Sequence, residues 1–168
     1  SDKAYDNQEW IWGYRENDRL GGKDPYSASK GMTELLIRTY NESFFNKPES
    51  KISIGIARAG NVIGGGDWSN DRIVPDCIKS WSTNEIVKVR NPQSTRPWQH
   101  VLEPLSGYLL LAQNLQSKKI KNSFQSWNFG PNLSNCKSVY YIAKYLSKKI
   151  NLKIILKENN KFQKPETK

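Results

Sequence analysis

Three times in this 168-residue chain a lysine follows a tyrosine by four residues: Tyr26/Lys30, Tyr140/Lys144 and Tyr145/Lys149. On a helix that spacing puts phenol and ammonium on one face. A free tyrosine titrates at about pH 10, so a base for neutral pH needs that value lowered by about 3 units, roughly 4 kcal/mol. A nearby ammonium and a ribose hydroxyl in a partly dry site can supply that shift. Spacing alone cannot tell such a pair from two polar side chains on an ordinary helix. The surroundings decide. Tyr140/Lys144 and Tyr145/Lys149 fall in the amphipathic stretch "SVYYIAKYLSKKI", where tyrosine would face the core and lysine the solvent. Tyr26/Lys30 instead opens its helix behind "RLGGKD", among Ser27, Ala28, Ser29 and Gly31. Those small residues would let a flat ring and a sugar approach the backbone.

The elements that must position this pair alternate between helix and strand. Residues 25–45 predict a helix with Pro25 in its first turn, where a missing N–H costs nothing. Met32, Leu35, Leu36, Thr39 and Tyr40 would form its apolar stripe. "KISIGIARAG" predicts a strand through the alternating Ile52, Ile54 and Ile56, and "NVIGGGDWSND" a glycine-rich loop. A helix over 73–81, a strand "EIVKVR", a helix "EPLSGYLLLAQNL", a strand "SWNFG", the helix over 138–150 and a strand "LKIILK" follow. The end, "ENNKFQKPETK", has no core-forming pattern. This order predicts an α/β sheet with helical covers. The G-x-G-x-x-G turn of a dinucleotide-binding unit is missing, and "GGGDW" follows the wrong element and lacks the Lys-Ser/Thr of a P-loop.

Composition narrows the function. One ordinary domain is the expectation from length. The net charge of +10 arises wholly within residues 117–168, with 12 Lys and 2 Glu, whereas residues 1–116 carry 14 of each sign. That tail has no arginine, the residue suited to base edges and bidentate phosphate contacts, so solvated faces are expected rather than a nucleic-acid partner. The longest apolar run, "LSGYLLLA", is too short for a membrane span. Cys77 and Cys136 make neither a disulfide scaffold nor a zinc or other metal site, and fit free thiols in a reducing cytoplasm. The chain opens on "SDKAYDNQEW" without Met, as an internal piece of a longer protein would.

"SDK" at 1–3, "YSASK" at 26–30, "RAGNVIGGGDW" at 58–68 and "RPWQHVLEPLSGYLLLA" at 96–112, in that order, resemble the extended short-chain dehydrogenase/reductase family. The resemblance runs from Ser1 to about Ile150. It implies a Rossmann-like α/β fold of which this chain holds the C-terminal half of the parallel sheet and part of the substrate lobe. Residues 1–60 would be the rest of the dinucleotide-binding domain, and 61–168 a truncated nucleotide-sugar region interleaved with the sheet. It further implies NAD as cofactor, a nucleotide-linked hexose as substrate, and a homodimer formed through the helix bearing Tyr26.

The implied reaction is a dehydration. Tyr26 would take the proton of the sugar 4-hydroxyl while hydride leaves C4 for NAD; the new ketone acidifies C5–H, the 6-hydroxyl departs as water, and hydride returns to C6. Lys30 would lower the Tyr26 pKa and hold the nicotinamide ribose. Ser1 matches the position that hydrogen-bonds near O4, and Asp2 the acid that protonates the departing hydroxyl. Lys3 stands where thymidine-linked members carry a glutamate as C5 base; the cytidine-linked members share the lysine, which must be neutral to act as base. Ala59 and Gly60 fall beside the cofactor, and Asn61 in the loop that meets the sugar pyrophosphate. Arg96 is the implied pyrophosphate clamp, since a guanidinium binds two phosphate oxygens at once. Arg72 fits the same anion or a surface pairing, Trp98 the nucleotide pocket or the core. Arg58 fits a strand-end structural role, and His100 reads as structural.

Two alternatives stand beside this reading: action on another nucleotide sugar as dehydratase or epimerase, and a non-catalytic sugar-nucleotide-binding module. Without the glycine-rich half, the isolated chain is expected to fold poorly and to bind NAD weakly.

Overall fold

The computed structural model describes residues 1–117 and 124–156. Its chain runs through a 3-10 turn at Asp2–Ala4, α1 (Pro25–Tyr40) with a π turn at Asn41–Phe45, β1 (Gly55–Ala59), β2 (Val62–Ile63), α2 (Ile73–Ser82), β3 (Val87–Val89), β4 (Thr95–Pro97), β5 (Gln99–His100), α3 (Leu102–Gln116), β6 (Gln125–Phe129), a 3-10 turn at Leu133–Asn135, β7 (Cys136–Ser138), α4 (Val139–Ile150) and β8 (Ile154–Leu156). These form two compact units. One holds Ser1–Val62 and the described part of His100–Gly130; the other holds Ile63–Gln99 and the described residues from Pro131 onward.

In the first unit β1 pairs in parallel with β6, Gly55 opposite Gln125 through Ala59 opposite Phe129. A parallel pair needs a crossover, and α3 supplies it. Gly107 makes that packing possible: a Cβ there would stand 2.2 Å from the Phe129 ring. Tyr108 then meets the same ring edge-on at 5.4 Å. In the second unit β3 pairs in parallel with β8 and β4 antiparallel with β7. Its core is Cys77, Val87, Val89, Ala143 and Leu152, surrounded by Ile73, Val139, Leu146, Ile150 and Ile154. Here α2 and α4 turn apolar faces onto the short parallel pair, the α/β arrangement that the alternating order predicts.

Several expectations need correction. The strand after the first helix starts at Gly55, so Ile52 and Ile54 precede it and Ile52 is exposed. The pair β4–β7 had no apolar alternation to announce it: "TRP" meets "CKS". Met32, Leu35, Leu36 and Tyr40 are exposed, and α1 instead buries Ser27, Gly31 and Glu34. Tyr145 is also exposed rather than facing the core. The expectation for "ENNKFQKPETK" lies outside the described residues.

Candidate functional site

Asp24 starts α1. Its Oδ1 accepts from the N–H groups of Tyr26 and Ser27 at 3.0 and 3.1 Å, and its Oδ2 from the Ser27 hydroxyl at 2.6 Å. Three donors at a helix start favour the ionised carboxylate. The Ser27 hydroxyl, the largest influence, and the two N–H groups hold it below the ordinary aspartate range. With Pro25 at the first helical position, this cap fixes the turn that carries Tyr26. Lys30 Nζ lies 5.2 Å from the Tyr26 ring centroid, so cation and phenol do meet. The other two pairs adopt much the same geometry, Lys144 at 5.4 Å over Tyr140 and Lys149 at 5.8 Å over Tyr145. Geometry within the pair therefore does not single out Tyr26; its neighbours do.

The chief neighbour is the N-terminal turn. Ser1 caps it, its Oγ accepting from Lys3 N–H at 3.2 Å, and Asp2 and Lys3 are half-buried. The chain then pairs with residues 19–21: Gly21 N–H donates to the Ala4 carbonyl and Asp6 N–H to the Arg19 carbonyl, both at 2.9 Å. Helix α1 lies against this layer at Gly31, where a Cβ would stand 3.2 Å from Gly21 N and 3.4 Å from Ala4 O. A Cβ on Gly22 would overlap Ser27 Cβ at 2.3 Å. Gly22 and Gly31 thus serve a close approach of the chain's own backbone to α1. Ser1, Asp2 and Lys3 are brought onto the helix that holds Tyr26 and Lys30, one residue before Gly31.

Tyr26 is 57% exposed. Its ring is open to solvent and not packed in hydrocarbon. Ala59 ends β1, with Gly60 and Asn61 directly after it, all half-buried.

Arg72, Arg96 and Trp98 belong to the second unit, His100 to the first. Arg72 is exposed and pairs with Asp67 at 3.0 Å. Asp67 is held below its ordinary range by the Ser69 backbone N–H first and then, among smaller influences, by Arg72. Gly66 takes φ +81 in this loop, a conformation that favours glycine. Arg96 on β4 is buried and donates to the Thr95 carbonyl at 2.9 Å. Trp98 donates from Nε1 to the Lys137 carbonyl at 2.9 Å. His100 accepts at Nδ1 from Leu102 N–H at 3.3 Å at the start of α3, the structural use expected of it.

Two residues around Arg58 went unnoticed in the sequence, Tyr5 and Glu34, which surround its buried guanidinium. A carboxylate on the face of α1 that carries Ser27 and Gly31 was the available signal. Among the described residues no group of three or more His, Cys, Asp or Glu could hold a metal ion, and no helix is long and apolar enough to cross a membrane.

The sequence profile of the NAD dependent epimerase/dehydratase family matches residues 1–129. A CDP-glucose 4,6-dehydratase of Salmonella typhimurium is 54% identical over 146 residues, 85% of this chain and 40% of that protein. An uncharacterised protein of Schizosaccharomyces pombe is 25% identical, over 91% of this chain and 46% of its own. A dTDP-glucose 4,6-dehydratase of Bacillus anthracis in complex with NAD superposes with a TM-score of 0.72 at 16% identity, over 95% of this chain and 48% of that one. The corresponding enzyme of Streptomyces venezuelae, with NAD bound, gives 0.76 at 16% identity over 92% and 44%. At such identities the solved structures speak for the fold, the Rossmann-like α/β fold of extended short-chain dehydrogenases. The chain spans less than half the length of each of these relatives. Profile, sequence and fold converge on one conclusion: the chain belongs to the NAD-dependent epimerase/dehydratase family.

Proposed function

We propose that this chain forms the acid–base half of a CDP-glucose 4,6-dehydratase, converting CDP-glucose to CDP-4-keto-6-deoxyglucose. The observation that carries the reading is the seating of the Ser1–Lys3 turn on the Tyr26–Lys30 helix through Ala4, Gly21 and Gly31. The 54% identity to the Salmonella enzyme supports the cytidine-linked substrate.

Each residue has a task in that reaction. Tyr26 Oη accepts the proton of the sugar 4-hydroxyl as C4 becomes a ketone, and the Lys30 ammonium beside the ring stabilises the phenolate form. Ser1 Oγ hydrogen-bonds near O4. Neutral Lys3 Nζ takes the C5 proton, now alpha to the ketone, and Asp2 gives its proton to the 6-hydroxyl, which leaves as water. Arg96, Arg72 and Trp98 hold the nucleotide diphosphate, Arg72 after exchanging Asp67 for a phosphate oxygen. NAD, when bound, supplies the hydride acceptor at C4 and the donor at C6, so no net oxidation results. An exposed phenol, an ammonium above it and the open end of β1 at Ala59–Gly60 fit the nicotinamide ribose. No G-x-G-x-x-G turn occurs within these 168 residues.

The exposed stripe of α1, Met32, Leu35, Leu36 and Tyr40, continued by Phe44 in the π turn, supplies the surface for a homodimer. The test of function is product analysis. The intact NAD-loaded protein given CDP-glucose should yield a nucleotide sugar lighter by one water, with a ketone at C4 and a methyl at C6. Unchanged CDP-glucose, or its 4-epimer, would refute the proposal.

A further inference from the structure

Arg58 takes no part in the chemistry above, yet its guanidinium is 3% exposed and bonded on every side. Nε donates to both carboxylate oxygens of Glu34, at 2.9 and 3.0 Å, and Nη2 to the same carboxylate and to Ser126 Oγ at 3.1 Å. Nη1 donates to Tyr5 Oη and to the Glu16 carbonyl at 2.9 Å. Tyr5 Oη in turn donates to Asn128 Oδ1 at 2.7 Å. Asn128 is in turn held by Glu16 Oε1 and the Tyr14 carbonyl, each at 2.9 Å. Its partner across the parallel pair is Arg58 itself.

Two of these partners matter for the site. Tyr5 directly follows the turn that bears Asp2 and Lys3. Glu34 lies one helical turn beyond Lys30 and three residues beyond Gly31, on the buried side of α1. A single cation thus grips both segments that carry the acid–base residues. Burial alone would lower the Arg58 pKa, but the bonds to Glu34 and Tyr5 outweigh it, so the fork stays charged. A buried ion pair adds little net stability over apolar packing of the same volume, so stability is a weak reason for this cluster. Geometry is a stronger one. A guanidinium fixes its partners' directions in a way that neither an ammonium nor a hydrocarbon can.

We propose that Arg58 is a positioning residue: by clamping Tyr5 and Glu34 together, it sets where Asp2 and Lys3 stand relative to Tyr26 and Lys30, and so governs the elimination of water. The role rests on the dehydratase reading above. It acts on one step of two. Oxidation at C4 depends on Tyr26 and Lys30 within α1, whereas elimination at C5 and C6 needs the Asp2–Lys3 turn in register with that helix.

The test is Tyr5→Phe in the intact NAD-loaded protein, which keeps the ring and the Arg58–Glu34 pair but removes the oxygen joining Arg58 to the turn. Turnover of CDP-glucose should fall about tenfold or more while KM stays within about twofold. A larger share of bound cofactor should be in the reduced form during turnover, because C4 is oxidised while elimination waits. Arg58→Lys, which keeps the charge and loses the fork, should shift both readouts the same way. Active parent protein with kcat unchanged in Tyr5→Phe, or slowed without accumulation of reduced cofactor, would overturn the role alone. A parent that forms no dehydrated product would overturn the functional reading and this role with it.

Discussion

Asp24 ties the geometry of Tyr26 to pH. Its carboxyl is held low by the Ser27 hydroxyl and the two N–H groups of the first turn. A depressed carboxylate contributes its stabilisation above about pH 4, the unfolded value, and loses it as pH falls through the lower folded one. Asp24→Ala should therefore speed amide exchange at Tyr26 and Ser27 at neutral pH; unaltered exchange would contradict the cap. Cys77 makes a second case. Burial pushes its thiol up to about 11, so below about pH 9 it stays neutral in both folded and unfolded chains. Stability tied to it is lost only as pH rises from about 9 toward 11. Cys77→Ser places a hydroxyl among Val87, Val89 and Leu152 and should cost about 1–3 kcal/mol, read as a lower urea midpoint. Glu34→Gln leaves Arg58 buried without its counter-charge, and a loss of roughly 3–5 kcal/mol is expected in the same assay. At this scale the motif residues were legible because their types and order repeat a family pattern. The Arg58 cluster was not. Its partners stand 24 and 53 residues away, and only the fold joins them.

Helix α1 shows how an element can be read correctly in position and wrongly in face. Pro25 and the run to Phe45 gave its extent, which the structure builds as α1 and a π turn. The apolar stripe of Met32, Leu35 and Leu36 stands exposed, while the chain at Ala4 and Gly21 docks at Gly31 on the face that buries Ser27 and Glu34. Periodicity reports which face is apolar, whereas backbone-to-backbone approach selects small residues that carry no hydrophobic signal. Gly31→Val should push α1 off the Asp2–Ala4 turn and lower kcat of the intact protein more than it raises KM. An undiminished kcat would contradict the close seating. The short strands β4 and β7 escaped notice because Arg96, Pro97 and Lys137 break any two-residue alternation. By contrast α2 and α4, with one apolar face each around Cys77 and Ala143, matched their predicted spans to within a residue.

Among the described residues, large apolar side chains stand open on two helices. Leu109 is 74% exposed and Leu102, Leu105 and Leu110 lie open on α3, as do Met32, Leu35 and Leu36 on α1. Soluble monomers rarely expose such contiguous faces. In the intact protein, Leu35→Glu with Leu36→Lys should shift a homodimer toward monomer in sedimentation; an unchanged mass would place the subunit contact elsewhere. The α/β order was visible in the sequence as alternating elements, and the missing glycine-rich turn was visible too. The strand pairings that build each unit were not, because they join residues distant in the sequence. The central claim concerns one oxygen, and one kinetic comparison tests it most directly. In the intact NAD-loaded protein, Tyr26→Phe should lower kcat on CDP-glucose by about a hundredfold or more with little change in KM. A Tyr26→Phe protein that dehydrates CDP-glucose at the parent rate would contradict the account.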